Sequence, residues 1–477
     1  MRSQHLALLI SLTAVTAGAA QEPTRISHQV SSPERRDAVQ HRPQQGPGEV
    51  YGLTLDAAVA AALANNSEIV AAYERRGAAS QRLEQAKGHR WFALDLSEAY
   101  SYTNNPAEVF ALQLNQRRFD KDEFFASDPN RPDPLSTWIT SIELVQPVYT
   151  GGKLAARIGQ AESMASAKER TYFHTRQRVA FETISAFVNL AEARENVGLI
   201  EKARSTTAEH VKLAEQYAAQ GVILEADVLQ ARVYLSEMDD LLAQAQSGAS
   251  LAQASLNFQM GADQTLPRTL APLLPAAPVT EDLDFWIATA LSGRHDLGAA
   301  RLQMEAGKLE EKVSRSGYLP EIAVLGRYDL YDDRIFGSYG HSGSVMAVAK
   351  INLFRGGSDA AALEAARHDT ASFAADIRHF EEGIRLEVQQ AWQDLATART
   401  RHATATSALA AANEALRVRE RRFKQGLDKM IDLLDAETAL REAKLRQLVA
   451  RFDVVLGTHR LLFVAGATPI SHMEESS

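Results

Sequence analysis

Apolar and polar residues alternate along this chain with two different periods. Between residues 224 and 256, small or apolar side chains recur at alternating spacings of four and three, which is the heptad pattern of a helix packed against another helix. The members of the pattern are Leu224, Val228, Ala231, Leu235, Met238, Leu242, Ala245, Ala249, Ala252 and Leu256. Because several of them are alanines, we expect the two helices to approach each other closely.

Two stretches without proline predict much longer helices. No proline occurs in residues 148–266 or 321–468. Within the first stretch, residues 153–220 are rich in Ala, Glu, Arg and Gln and would form a helix of about 100 Å. Shorter helices are predicted at about 54–89 and 222–260, each of about 60 Å. Placed end to end, these two helices would match the long one in length.

Four shorter segments alternate with a period of two, which predicts β-strands of about ten residues. They cover residues 91–103, 138–148, 322–330 and 345–353. Tilted strands of this length with one apolar face can cross a membrane. A half-buried hairpin of a soluble protein alternates in the same way, so the pattern alone leaves both interpretations open. We expect a long polar loop within the first strand pair and a short, glycine-containing loop within the second.

The two halves of the chain align without a gap at a constant offset of 205 residues, which predicts an internal duplication. The aligned pairs are Gly151-Gly152 with Gly356-Gly357, Glu182 with Glu387, Leu190 with Leu395, Gly221 with Gly426, Asp227 with Asp432, Ala231 with Ala436, Leu235 with Leu440, and Gly261 with Gly466. Upstream of the strands, Ala62-Leu63 aligns with Ala290-Leu291 at an offset of 228 residues, and the longer first strand loop explains the difference. Each repeat is therefore predicted as helix, strand, strand, long helix, turn and helix, and the fold class as mainly α with a small β part.

The predicted domain organisation starts with an exported leader. Residues 1–20 show the basic start, short apolar core and small-residue end of a secretory signal peptide, and residues 21–49 are expected to be a disordered lead-in. The further boundaries are a first repeat at 50–262, a linker at 263–282, a second repeat at 283–469 and a C-terminal tail at 470–477.

Composition excludes several classes of function. The chain has no cysteine, so disulfides, thiol catalysis and thiolate metal sites are excluded, and the net charge of -9 argues against nucleic acid as a partner. No two of the 13 histidines are four residues apart, so we predict no helical metal site. There is no phosphate-binding loop or nucleophile motif, and we therefore expect neither enzymatic activity nor a cofactor. After the leader, no run of 18 apolar residues predicts a transmembrane helix.

Four strands are too few to close a transmembrane barrel, which needs about eight. An open sheet edge is not tolerated in lipid, because its backbone groups would have no hydrogen-bond partners. If these strands lie in a membrane, several copies must pool them, and three copies would supply twelve. The long helices would continue such a ring as a tube, and the assembly would be a conduit.

A set of short motifs occurs in a fixed order within this duplicated frame. They are Leu53-Thr54-Leu55, Ala62-Leu63-Ala64-Asn65-Asn66, Gln146-Pro147-Val148-Tyr149, Gly151-Gly152, Tyr318-Leu319-Pro320, Leu353-Phe354, Gly356-Gly357, Gly426 and Asp432-Leu433-Leu434-Asp435-Ala436-Glu437. In this order, from about Leu53 to Pro469, the chain resembles the TolC-type outer-membrane efflux and secretion channels.

This resemblance implies a homotrimer in the cell outer membrane, surrounded by lipid. Its fold would be a 12-stranded β-barrel continued by a long periplasmic α-helical barrel, with Gly151, Gly152, Gly356 and Gly357 at the junctions between strands and helices. It would serve as the passive exit duct of a tripartite efflux or type I secretion system. The implied partners are a periplasmic adaptor and, through it, an inner-membrane transporter of the RND or ABC type.

The resemblance also places the periplasmic entrance at the tips of the two helical hairpins. The residues expected to contact the adaptor are Gln220, Gly221, Val222, Gln425, Gly426 and Leu427. The two glycines are equally suited to end a helix in the left-handed conformation, and both roles can hold together.

Asp432 and Asp435 are three residues apart and would share one face of a helix. In a trimer, each would form a ring of three carboxylates that favours cations in the pore constriction. Asp227 aligns with Asp432, whereas Gln230 stands where the first repeat would need a counterpart of Asp435. The simpler interpretation is that acidic residues early in a helix complement its dipole.

The family commonly closes this entrance with polar links that use an Asp in the first repeat, and a Tyr and an Arg that flank the second tip. Asp227 matches the first of these residues, but Phe423 and Asp428 stand where the Tyr and the Arg would be. The usual links therefore cannot form, and Lys429 is a candidate substitute cation for Asp227.

A soluble periplasmic coiled-coil adaptor or scaffold is the alternative function. It would explain the heptads and the export signal, but not the two hairpins of membrane-spanning length. The sequence leaves the cargo open among drugs, metal ions and proteins.

Overall fold

The computed structural model describes residues 52–126, 128–273 and 278–467, which form ten helices and four strands. The first repeat contains α1 (Leu55–Asn65), α2 (Ser67–Gly88), β1 (Ala93–Thr103), α3 (Pro106–Asn115), α4 (Lys121–Ala126), β2 (Leu135–Thr150), α5 (Lys153–Ala219) and α6 (Glu225–Gln259). The second repeat contains α7 (Leu283–Gly293), α8 (His295–Ser316), β3 (Glu321–Asp332), β4 (Gly340–Lys350), α9 (Ser358–Lys424) and α10 (Met430–Val464). This confirms the predicted duplicated, mainly helical fold. The predicted signal peptide (1–20), lead-in (21–49) and tail (470–477) lie outside the described residues.

The four predicted strands form one antiparallel sheet in the order β1-β2-β3-β4. The contact between β2 and β3 joins the two repeats. Strand β4 ends at Lys350 rather than near residue 353, because its last ladder partner is Glu321 at the start of β3. The residue before Glu321 is Pro320, which has no N–H group to extend the ladder.

The register of the ladders gives the sheet one apolar and one polar face, since paired residues point to the same side. Two rows on the first face are Leu94, Leu144, Gly326 and Val345, and Leu96, Ile142, Tyr328 and Gly343. Two rows on the second face are Asp95, Glu143, Arg327 and Ser344, and Ser97, Ser141, Asp329 and Ser342. The predicted apolar positions of all four strands therefore coincide on one surface.

The long helices α5 and α9 pack against α6 and α10 respectively, and α5 also packs against α10. Near the turns the helices therefore follow the order α6-α5-α10-α9, and near the sheet the order is α2-α5-α8-α9. The predicted heptad residues of α6 are buried or half-buried, except Leu224. Leu224 is exposed because it precedes α6 as the N-cap residue.

The single helix predicted at 54–89 is wrong, because the helix breaks at Asn66 between α1 and α2. The Asn66 side chain accepts a hydrogen bond from the Glu68 N–H and donates one to the carbonyl oxygen of Gln259, at the end of α6. In the second repeat the break lies at Arg294, whose guanidinium donates to the carbonyl oxygen of Val464, at the end of α10. The predicted end-to-end arrangement therefore occurs, and the break is where the two shorter helices meet.

An arginine bridges two carboxylates at each of these junctions, but it comes from a different position in each repeat. In the first repeat, Arg178 of α5 donates to Glu68 and Glu182. In the second repeat, Arg294 donates to Asp296 and Glu387, which align with those same glutamates. The duplication has thus kept the carboxylates, whereas the cation comes from the long helix α5 in the first repeat and from the helix break in the second.

The long loop predicted between β1 and β2 contains the short helices α3 and α4, which the polar composition did not predict. Helix α3 starts at an Asn105-Pro106 pair, where the Asn105 side chain accepts hydrogen bonds from the N–H groups of Ala107 and Glu108. No helix within residues 52–126, 128–273 and 278–467 is long and apolar enough to cross a membrane.

Candidate functional site at the hairpin tips

The two hairpin tips have the same backbone geometry. At the first tip, the N–H of Gly221 donates to the carbonyl oxygen of Ala218, and the N–H of Val222 donates to that of Tyr217. At the second tip, the N–H groups of Gly426 and Leu427 make the equivalent bonds to Phe423 and Arg422. Gly221 and Gly426 have φ angles of 71° and 73°, in the left-handed region that favours glycine.

Each tip continues into a helix that an aspartate caps. The backbone N–H of Leu224 donates to Asp227 Oδ2 over 3.2 Å, and the N–H of Lys429 donates to Asp432 Oδ2 over the same distance. Both aspartates are the third residue of their helices, where a carboxylate also complements the helix dipole. Asp435 lies one turn further along α10 and is exposed. The two carboxylates predicted as a pair therefore have different surroundings within one chain.

The two tips pack against each other through a shared apolar core. This core contains Phe423, Met430, Leu433 and Leu434 of the second tip together with Val211, Ala214 and Val228 of the first. The rings of Tyr217 and Phe423 are 6.1 Å apart between centroids. Phe423, which stands where the family resemblance places a tyrosine, is buried and has no hydroxyl group to bond a neighbouring helix.

A cavity of about 740 Å³ lies between the tips. Of the predicted tip residues, it is lined by Gly221, Val222, Gln425, Gly426 and Leu427, together with Asp227. Gln220, Asp432 and Asp435 are not among the residues that line it. The structure thus brings five of the six predicted tip residues to one surface.

Asp428 forms two ion pairs across the second turn that the sequence reasoning missed. Its carboxylate accepts hydrogen bonds from Arg422 Nε at 2.8 Å and from Arg419 at 3.1 Å, and its side chain is only 4% exposed. Burial alone would raise the pKa of Asp428, but the hydrogen bonds from the two guanidinium groups hold it below its ordinary value. The signal was present in the sequence, because a reversal at Gly426 brings residues six and nine positions apart together.

The four predicted junction glycines all have positive φ angles. Gly152 and Gly357 precede α5 and α9, with φ angles of 82° and 83°. A side chain on Gly151 would place its Cβ 2.8 Å from Leu319 Cβ, so this position also needs glycine for space. Gly356 has the same φ as Gly151 without the close neighbour.

The family model of outer membrane efflux proteins matches residues 58–262 and 286–467 of this chain. The chain belongs to the outer membrane efflux protein family. Outer membrane efflux protein BepC of Brucella suis is 23% identical over 337 residues, which are 70% of this chain and 73% of that protein. Outer membrane protein TolC of Vibrio cholerae is 20% identical over 343 residues, which are 70% of this chain and 77% of that protein.

A solved structure shares the fold. The Campylobacter jejuni CmeC outer membrane channel aligns with a TM-score of 0.76 and 15% identity, over 88% of each chain. The predicted resemblance to TolC-type proteins and the outer-membrane location of the family are thereby confirmed. Asp428 stands where the family resemblance places an arginine, and its carboxylate is paired with Arg419 and Arg422 of its own chain.

Within one chain, the carboxylate of Asp227 accepts a hydrogen bond from the N–H of Leu224, the N-cap residue of its own helix. Among the described residues, no ion pair joins it to Lys429, which is exposed on the other tip. The predicted substitution of Lys429 for the missing arginine therefore remains a prediction about contacts between copies.

Proposed function

We propose that this outer membrane efflux family member is a passive exit duct made of three copies of the chain. The observation that carries the proposal is the sheet, which has an apolar face and two edges, β1 and β4, without a partner strand among the described residues. Strands β1 and β4 run in opposite directions, so β4 of one copy can pair with β1 of the next in the same antiparallel manner. Three copies then give twelve strands and leave no open edge.

The two faces of the sheet fit the two environments of such a barrel. The row that contains Leu94, Leu144 and Val345 would face lipid, and the row that contains Asp95, Glu143 and Arg327 would face water in the lumen. The helices α5 and α9, each about 100 Å long, would extend the lumen into the periplasm. The energy for transport would come from an inner-membrane transporter of the RND or ABC type.

The hairpin tips would form the periplasmic entrance and meet the adaptor. The surface of Gly221, Val222, Gln425, Gly426 and Leu427 around the shared cavity is suited to receive a helical hairpin of that partner. Bulky charged substitution at Gly426 should abolish transport without loss of the trimer. Retained transport in that variant would argue against adaptor contact at the tip.

The paired aspartates would line the constriction as rings of three carboxylates. Because Asp432 also caps α10 while Asp435 is exposed and free of that role, we assign the larger share of cation selectivity to Asp435. Asp435→Asn should lower cation selectivity in planar bilayers more than Asp432→Asn, because Asp432 also caps α10. Unchanged cation selectivity in both variants would remove the carboxylate rings from the proposal.

A pair of neighbouring substitutions tests the membrane location of the sheet. Val345→Lys places a charge on the proposed lipid face, at a cost of about 2–4 kcal/mol near the bilayer centre, whereas Ser344→Lys places it on the lumen face. We expect the first variant to be lost from the outer-membrane fraction as a heat-modifiable trimer, and the second to be retained. If both variants fractionate alike, or if the wild type is released with periplasmic contents, a soluble periplasmic adaptor or scaffold becomes the better interpretation.

A further inference from the structure

The loop between β1 and β2 carries α3 across the sheet from one edge to the other. Helix α3 begins shortly after β1 ends at Thr103, and it packs against β2 and against β4, the strand at the opposite edge. Three strand spacings of about 4.8 Å separate β1 from β4, which is about 14 Å in total. The ten residues of α3 span about 15 Å, so the helix has the length that a crossing of the whole sheet requires.

The end of α3 lies on the polar face of β4. A side chain on Gly340 would place its Cβ only 1.8 Å from the carbonyl oxygen of Asn115, the last residue of the helix. Gly340 and Ser342 are two residues apart on one strand, so both point to the face that carries Ser342. Helix α3 therefore lies directly against the polar face at this edge, and glycine leaves the space for it.

The residue after α3 contacts the same face of β2. The side-chain Nε2 of Gln116 donates a hydrogen bond to Thr137 Oγ1 over 2.7 Å, and both side chains are fully buried. Thr137 alternates in phase with Ser141, which belongs to the polar face. Tyr331 of β3 lies in the row of Gly340 on that face and is buried as well. The end of the sheet furthest from the long helices is thus covered on its polar side.

Polar contacts fasten α3 at both of its ends. Before the helix, the hydroxyl group of Thr103 donates to Glu108 Oε2 over 2.6 Å. After the helix, Arg118 forms an ion pair with Asp333 at 3.2 Å, and its guanidinium lies over the ring of Tyr339, 5.0 Å from the centroid. Asp333 and Tyr339 belong to the connection between β3 and β4, so the fastening joins the two strand loops.

Little apolar surface holds this segment in place. Val109 is buried, and the other nine residues of α3 are half-buried or exposed. The buried Oε1 of Gln116 accepts no hydrogen bond from the residues that the structure describes. Because polar contacts can be replaced by contacts with water, and a buried oxygen without a partner opposes its own burial, the segment can leave the sheet without the loss of a large core.

The dimensions of the proposed barrel make this segment an obstacle. Twelve strands that are about 4.8 Å apart and tilted by about 40° form a ring with a radius of about 12 Å. A helix with its side chains is about 10 Å across, so a helix on the inner wall reaches almost to the axis. Three such helices leave a passage less than about 5 Å wide.

We propose that residues 106–118, the exit strap, narrow the far end of the duct and set the size of the cargo that leaves it. This inference rests on the proposed trimeric duct and adds a constriction at the end opposite the hairpin tips. Ions pass the strap in its seated position, whereas larger cargo passes only when the strap leaves β2 and β4. Gln116 and Arg118, which hold the strap on the sheet, are then residues that determine specificity.

The lack of native cysteine allows the strap to be locked in the full-length trimer. Gln116→Cys with Thr137→Cys, joined by a short bis-methanethiosulfonate reagent, should fix the strap on β2 within each chain. In planar bilayers, polyethylene glycols that enter the wild-type lumen from the exit side and lower its conductance should then be excluded, and a reducing agent should restore their entry. Ser97→Cys with Ser141→Cys is the matched control, because these residues pair on the same face away from the strap. Its crosslink should leave polymer entry unchanged.

Release of the strap gives the opposite result and does not depend on crosslinking. Gln116→Ala with Arg118→Ala removes the contacts to Thr137 and Asp333, and should admit polymers of larger mass than the wild type does. The same mass limit in the wild type, the locked channel and the released channel would overturn the strap and leave the duct intact. Failure of folded trimers to form the crosslink between residues 116 and 137 would also overturn it. Trimers of the wild type that conduct no ions would overturn the duct itself.

Discussion

Replacement of Arg294 by glutamine tests the account of the helix junctions, because Arg178 offers a matched position in the other repeat. Arg294 is 10% exposed and donates to Asp296 at 2.6 Å and to Glu387 at 2.5 Å. Removal of one partner of a buried ion pair costs about 3–5 kcal/mol, and we take about 3 kcal/mol because Glu387 is half-exposed. Arg178 is 34% exposed and its two glutamates are more exposed than Asp296, so the loss there should be about 1 kcal/mol.

These free energies translate into local opening, which hydrogen exchange measures in the folded protein. Since each 1.4 kcal/mol is a factor of ten, Arg294→Gln should increase exchange of the amides around residues 292–298 and 462–466 by about 100-fold or more. Arg178→Gln should increase exchange around residues 64–70 and 257–261 by about fivefold. An equal increase in the two variants, or a larger one for Arg178→Gln, would refute the argument from burial.

The same substitution should change how the junction responds to acid. Burial alone would raise the pKa of Asp296, but hydrogen bonds from Arg294 hold it below the ordinary value of 3.8. Stabilisation by Asp296 is therefore present above pH 3.8 and is lost as the pH falls through the lower pKa of the folded state. Without Arg294, burial is opposed only by His174 and by the N–H of Leu297, so the pKa of Asp296 should rise. The variant, which is already more open at neutral pH, should therefore open less on further acidification than the wild type does. An unchanged pH profile would contradict this.

Three further predictions concern the tips. Phe423→Ala removes a ring from the core that joins the two hairpins and should destabilise the tips by about 3–5 kcal/mol. Limited proteolysis should then cleave the tips faster. An unchanged cleavage rate would show that this core is dispensable. Asp432→Ala should lower the hydrogen-exchange protection of the first turn of α10 by about 0.3–1 kcal/mol. Asp435→Ala should lower this protection by less. The reverse order would contradict the capping role of Asp432. Arg422 and Arg419 lower the pKa of Asp428 against the effect of burial. The second turn should therefore stay ordered from neutral pH down to pH 3.8 and loosen only in stronger acid. Hydrogen exchange at this turn that already rises between about pH 5 and pH 6 would contradict the ion pairs.

Most of the fold follows from periodicity. The heptad positions of α6 and the absence of proline predicted the long helices, because a pattern sustained over many turns has one compatible structure. The alternation in the four strands predicted their faces, and the register then aligned these faces across both repeats. The duplication predicted that the two tips and the two junctions would have matching backbone geometry, as they do.

The features that sequence reasoning missed depend on contacts that the periodicity of the sequence does not specify. Nothing in the helical pattern interrupts 54–89 at Asn66, and the break is stabilised by the carbonyl oxygen of Gln259, which is 193 residues away. The ion pairs of Asp428 required the direction of the chain after Gly426 to be known. The pairing of Asp432 with Asp435 was predicted from spacing alone, and the cap bond to Lys429 N–H separates their roles.

Conductance through a planar bilayer tests most directly whether three copies of this chain enclose a water-filled duct. Purified trimers should insert and give discrete, long-lived, cation-favouring current steps, whereas monomers from the same preparation should give none. Trimers that insert and conduct no ions would contradict the account.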